Sequence, residues 1–212
     1  MTQVVKYTHR IFIACILFCG IAIRAQAQHF IGIKEGLSFS TINSSQPLGQ
    51  KAVTNRMNIG LVYKYYAGKW VGVQAGLNYA EKGYQLNDTS KHYQTIELPV
   101  VSQFHVELWK FRLLAQFGIY GAYALRANLE YADDNGNTQI AGYTFKSYEN
   151  KLDCGTVFGA GFSMMLKPIE IQLEYNYHFG LIYLQNPRIP GPGRLFMSHN
   201  QSIVSIGILY AL

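Results

Sequence analysis

The stretch Ile96-Glu97-Leu98-Pro99-Val100-Val101-Ser102-Gln103-Phe104-His105-Val106-Glu107-Leu108, followed after Trp109-Lys110 by Phe111-Arg112-Leu113-Leu114-Ala115-Gln116-Phe117-Gly118-Ile119, decides the fold. In the first half Ile96, Leu98, Val100, Phe104, Val106 and Leu108 alternate with Glu97, Gln103, His105 and Glu107. In the second, Phe111, Leu113, Ala115, Phe117 and Ile119 alternate with Arg112, Gln116 and Gly118. Period two puts successive side chains on opposite faces of an extended chain, so both halves read as strands. Two residues between them leave room only for a hairpin turn.

The same alternation recurs in both directions. It runs over Phe30 to Ser40, with Glu35 as the one misfit, then over Arg56 to Tyr66, Trp70 to Lys82, Leu152 to Leu166, Ile169 to Phe179 and Gln201 to Leu212. Eight strands result, an even number. The short connections are Ala67-Gly68-Lys69, Trp109-Lys110 and Lys167-Pro168; the long ones run from Thr41 to Asn55, Gly83 to His92, Ala127 to Asn150 and Gly180 to Asn200. In an antiparallel meander alternate connections share an end, so every short turn falls with the termini and every long loop at the opposite end. A bacterial outer-membrane barrel sorts its loops in this way, whereas a soluble sandwich has no reason to. We therefore expect an all-β, transmembrane, antiparallel up-and-down barrel of 8 strands, with short periplasmic turns and long extracellular loops.

Alternation alone does not reveal which face points inward. A lipocalin-like soluble barrel has the same period with the opposite sign, an apolar lumen and a polar outside. One face here is almost wholly aliphatic or aromatic, and the other carries Lys34, Lys64, Arg112, Arg126, Glu97, Glu107, Glu170, Glu174, Gln74, Gln103, Gln172 and His178. Small residues share that polar face, including Gly32, Gly60, Gly118 and Gly159, which suits a crowded barrel interior where opposite charges pair. Aromatic residues cluster at both strand ends: Tyr65, Tyr66, Trp70, Trp109, Phe111 and Tyr210 near the short turns, and Tyr79, Tyr84, Tyr93, Tyr123, Tyr175, Tyr177 and Phe179 near the long loops. Two girdles at two membrane interfaces account for that placement, and lipid is expected outside.

Composition agrees. Of 212 residues, 49% are hydrophobic and only 14% charged, while 16 Tyr and 20 Gly supply much of the remainder. Charge stands well below the roughly 25% of a soluble domain. The formal charge of +6 shrinks once Lys6, Arg10 and Arg24 are set aside, since removing these three from 18 basic residues leaves 15 against 12 acidic ones. A nucleic-acid-binding surface needs a larger excess, and no nucleic-acid partner is expected.

Lys6 and Arg10 precede the apolar run Ile11 to Ile23, and Ala25-Gln26-Ala27 places small residues where a signal peptidase reads. Residues 1–27 are read as a cleaved signal peptide and residues 28–212 as the barrel domain. The run is too short for a spanning helix. Cys15 and Cys19 would leave with the signal, and Cys154 alone remains, so no internal disulfide or redox pair is available.

Three segments carry a family resemblance: Ile96-Glu97-Leu98-Pro99-Val100, Gln116-Phe117-Gly118-Ile119-Tyr120-Gly121-Ala122-Tyr123, and Asp153-Cys154-Gly155-Thr156-Val157-Phe158-Gly159-Ala160-Gly161-Phe162. They resemble the small outer-membrane barrels of the Bacteroidetes, the porin-like or PorT family, over nearly the whole mature chain. The resemblance implies a fold and a compartment, the bacterial outer membrane. The founding member's part in secretion does not transfer with motifs that are structural.

Motifs that carry chemistry are sparse. His29, His92, His105, His178 and His199 fall on separate segments, without the clustering of a zinc site. Asp133-Asp134-Asn135-Gly136-Asn137 begins like a calcium loop but lacks the closing Glu; it reads as the tip of a hairpin that either protrudes or adds two strands. Ser198, His199 and Ser202 are the nearest approach to a lipid-modifying enzyme's Ser and His, without an evident carboxylate. Asn186 to Arg194 reads as a rigid, basic, solvated outer loop in which Arg188 and Arg194 could meet anionic lipopolysaccharide heads or a partner. No catalytic, cofactor-binding or metal residues are assigned, and no cofactor is expected. The functional expectation is a filled structural or interaction barrel serving an envelope process, with a small-solute channel and a lipid-modifying enzyme as alternatives. Expected partners are outer-membrane lipid and lipopolysaccharide, periplasmic chaperones, the barrel-assembly machinery, and an unidentified envelope protein.

Overall fold

The structure, a computed structural model, describes residues 28–44, 51–52, 54–86, 89–132, 138–184 and 197–212. The expected signal segment therefore lies outside the described residues. Among the described residues ten strands follow in chain order: β1 (Gln28–Ser44), β2 (Lys51–Ala52), β3 (Thr54–Tyr66), β4 (Val71–Leu86), β5 (Thr89–Leu108), β6 (Phe111–Ala132), β7 (Thr138–Tyr143), β8 (Leu152–Leu166), β9 (Ile169–Gly180) and β10 (Met197–Ala211). Eight of them close a ring, β1-β3-β4-β5-β6-β8-β9-β10, in which β10 returns to β1 and every pairing is antiparallel.

Register fixes the shape. His29 pairs with Tyr65, and the line of partners then passes through Val73, Ser102, Phe117, Phe158, Tyr177 and Ser202 back to β1 at Phe39, ten residues beyond its start. A shear of ten over eight strands tilts them by roughly 40° and leaves a bore just wide enough for side chains. A Cβ on Gly118 would overlap the Val100 carbonyl oxygen, so a larger residue at that close approach forces the two strands to shift.

The face assignment is observed. Leu98, Phe117 and Leu173 are 55%, 52% and 40% exposed, whereas their neighbours Glu97, Gln116 and Gln172 are 0%, 5% and 2% exposed. Apolar side chains therefore coat the outside and polar ones fill the lumen, the reverse of a soluble barrel. The turns at residues 67–70, 109–110 and 167–168 share one end with both described termini, where the Leu212 amide donates to the His29 carbonyl.

Several residues depart from the expected pattern. Arg126, expected inside, faces outward: the β5–β6 register shifts between Gln94 and Thr95, so Leu125 is an extra residue and the alternation beyond it changes phase. Glu107 lies at the rim, half exposed, against Arg112. Tyr66, Tyr84 and Tyr93 leave the girdles and point inward, since each sits one pleat away from the outward residue beside it. Of Gly83 to His92, expected as an outer loop, Gly83 to Leu86 and Thr89 to His92 are paired backbone, because β4 and β5 continue to Leu86 and Thr89. Residues 126–132 and 138–146 protrude and add nothing to the ring: β7 pairs with the outer end of β6, while β8 pairs with β6 from Tyr123 downward. The tip 133–137 lies outside the described residues, as does the basic loop holding Arg188 and Arg194.

Candidate functional site

The lumen is the most heavily built part of the molecule. Four cations, Lys34, Lys64, Lys82 and Arg112, meet Glu97, Asp153, Glu170 and Glu174 inside it. Equal numbers matter, because a buried charge is costly unless a partner neutralises it. The pairs occupy three levels.

Near the short turns, Lys64 Nζ lies 2.8 Å from Glu170 Oε1, and Arg112 Nη1 stands 3.5 Å from the other oxygen of the same carboxylate. Tyr66 donates its hydroxyl to Glu170 at 3.3 Å, and the Arg112 guanidinium lies over its ring at 4.3 Å. Phe30, Val62, Tyr66 and Leu209 form an apolar floor beneath this pair. At mid-height the Glu174 carboxylate gathers amide donors from Gln116 at 2.6 Å and Gln74 at 3.0 Å, and from Gln172, with Lys34 at 3.7 Å. The gap beside it, lined by Lys34, Asn58, Gln116, Asn176 and His178, has room for no more than a water molecule. Toward the outer end Lys82 Nζ reaches Glu97 at 2.5 Å and Asp153 at 3.1 Å, while Tyr120 donates to Asp153 at 3.1 Å and stacks on His178.

Above these levels, Tyr93, Ala124 and Ala127 form an apolar cap against Tyr84, Tyr143, Phe145 and Leu184. Lys91 Nζ lies 2.6 Å from Glu149 Oε1, and Tyr143 donates to the same carboxylate at 3.1 Å. Burial, followed by the charge of Glu149, pushes the Tyr143 phenol up to about 12. The Arg56 guanidinium bridges β3 to Glu130 of the protruding hairpin at 2.8 Å. Ion pairs thus fasten the outer hairpins to the barrel wall.

The chemistry-bearing residues of the sequence are not brought together. His105 packs on Tyr66, His178 on Tyr120 and His199 on Tyr93, while His92 bonds Arg56 and His29 bonds Tyr63. Among the described residues no group of three potential metal ligands converges. Ser202 shares a hydrogen bond with Tyr175 on the outer face, whereas His199 points inward at Tyr84 and Tyr93, so the pleat of β10 separates the two. Sequence reasoning placed Lys34, Lys64, Arg112, Glu97, Glu170 and Glu174 in the lumen but missed Lys82, Asp153 and Tyr120 as its outer seal. Their even spacing from Gln74 along β4, and from Val157 and Gln116 on β8 and β6, was the available signal.

The sequence matches the outer membrane protein beta-barrel domain family over residues 25–185, well over half of its length. The chain belongs to that family. As an outer membrane protein beta-barrel domain it resides in the bacterial outer membrane, with the apolar band described above against lipid. The chain is also similar to solved structures. OprG of Pseudomonas aeruginosa is 15% identical, with 89% of this chain and 97% of that chain covered and a TM-score of 0.53. Ail of Yersinia pestis, the attachment invasion locus protein, is 12% identical over 86% of this chain and 99% of that one, with a TM-score of 0.46. The outer membrane enzyme PagL is 11% identical over 82% and 98%, with a TM-score of 0.36. At such identities the likeness to OprG concerns the fold alone. No curated protein matches the sequence significantly.

Proposed function

We propose that this barrel is a non-enzymatic structural or interaction element of the envelope, sealed along its axis and holding its outer hairpins at the cell surface. The observation that carries this reading is the charge-balanced plug, in which Lys64–Glu170, Lys34–Glu174 and Lys82–Glu97 close three successive levels of the bore. An open channel needs a water-filled cross-section, and eight strands with bulky inward side chains leave none. Within the wider family, the segments around Leu98, Phe117 and Phe158 favour the PorT-like barrels of the Bacteroidetes. Delivery would follow removal of residues 1–27, with periplasmic chaperones and the barrel-assembly machinery handling the mature chain. Lipopolysaccharide surrounds the outer rim in this reading, and an envelope protein engages the hairpins.

Planar-bilayer recording tests the seal. Purified protein is expected to show no long-lived openings; stable openings of nanosiemens scale would replace this reading with a solute channel. Mass spectrometry of lipid A from cells with and without the protein is expected to show identical species, and a missing acyl chain would mark an enzyme.

A further inference from the structure

Glu35 breaks the outer apolar pattern. It is exposed on the outward face of β1, pairs through its backbone with Ile206 of β10 and Ile59 of β3, and has no side-chain partner among the described residues. His29, six residues below, packs against Tyr63 and Tyr65 at the inner girdle. Six residues of a strand tilted by about 40° rise about 15 Å, which puts Glu35 near the middle of a band about 25 Å tall. Between the girdles no other described outward side chain is charged. The surface around it is aliphatic and even: Ile33, Leu37, Ile59, Leu61, Val204 and Ile206 are all exposed.

A carboxyl group facing hydrocarbon is costly until something hydrogen-bonds it. We propose that this face is a two-fold interface with a second copy of the chain, centred on Glu35. The outer band offers no cation, so a second copy answers the carboxyl only with its own Glu35. A two-fold axis along the membrane normal through this residue brings the two groups together, since such an axis matches a surface patch to itself. Two facing carboxylic acids satisfy each other by a pair of O–H···O hydrogen bonds, each hydroxyl donating to the other's carbonyl oxygen. The aliphatic side chains on either side then pack against their counterparts.

Subunit counting by single-molecule photobleaching in phosphatidylcholine vesicles, at falling protein-to-lipid ratio, tests this. Wild type is expected to be dimeric. Glu35→Gln should remain so, because two amides form the same paired hydrogen bonds, whereas Glu35→Leu should weaken the dimer roughly tenfold, the scale of one or two hydrogen bonds in lipid. Glu35→Leu adds an apolar residue to the lipid face, so its dimer loss is not a folding defect. In a Cys154→Ala background, Glu35→Cys should form a disulfide-linked dimer on oxidation and Leu173→Cys should not. A wild type that stays monomeric, or a Glu35→Leu protein as dimeric as wild type, overturns the proposal. So does loss of the dimer in Glu35→Gln, or crosslinking of Glu35→Cys in native membranes to a different protein alone.

Discussion

Lys64 Nζ and Glu170 Oε1 stand 2.8 Å apart with both side chains fully buried, although 106 residues separate them in the chain. They reach toward each other across the bore from β3 and β9, two strands that do not pair. A charge pair in this position costs desolvation on both sides, and its removal from one side leaves the other stranded.

Glu170→Gln leaves Lys64 and Arg112 facing an amide, and it should destabilise the barrel by about 3 to 5 kcal/mol. Lys64→Met should cost less, since Arg112 still meets Glu170 at 3.5 Å. The double replacement Lys64→Met/Glu170→Gln is expected to cost clearly less than the two single losses added together. Urea-dependent folding into lipid vesicles reads all three, and additive losses in the double variant would show that the pair does not act as a unit.

Arginine on the outer face must shed water into lipid or drag water in. Leu98→Arg, Phe117→Arg and Leu173→Arg are each expected to cost up to about 2 to 4 kcal/mol, most for the one nearest mid-membrane. Gln116→Asn, one pleat away from Phe117, should cost less. The same urea titrations check this, and Arg variants as stable as wild type would contradict a lipid-facing surface.

Gly118 and Gly121 offer a matched pair on β6. A methyl at Gly118 meets the Val100 carbonyl, while at Gly121 it meets nothing within 4 Å. Gly118→Ala should destabilise by roughly 1 to 3 kcal/mol through overpacking, and Gly121→Ala should be neutral or slightly stabilising.

The outer cap should loosen in strong base. Tyr143 keeps its proton up to about 12 in the folded protein, against about 10 for an unfolded tyrosine. A folded-state value above the unfolded one contributes stability that is complete below pH 10 and lost as pH rises through about 12. Phenolate absorbance should show one fewer group titrating near pH 12 in Tyr143→Phe. A missing group near pH 10 instead would mean that the Tyr143–Glu149 contact does not hold the hairpin down.

Much of this molecule was legible in one dimension. Alternation such as Ile96/Glu97/Leu98 marks strands because side chains of an extended chain must point to opposite sides, and three turns of two or three residues among longer connections sort the ends of a meander. Glu35 was visible as a misfit for the same reason. Tertiary structure decided the sign of the two faces, because curvature belongs to the closed ring and a period of two is the same from either side. It also decided the exceptions. Arg126 turns outward through a bulge that exists only where β6 meets β5, and Tyr93 caps the lumen only because Ala124 and Ala127 of the next strand leave it room. Which lysine meets which glutamate follows from a shear of ten residues around eight strands, and that number is a property of closure, held by hydrogen bonds between strands rather than by any one of them.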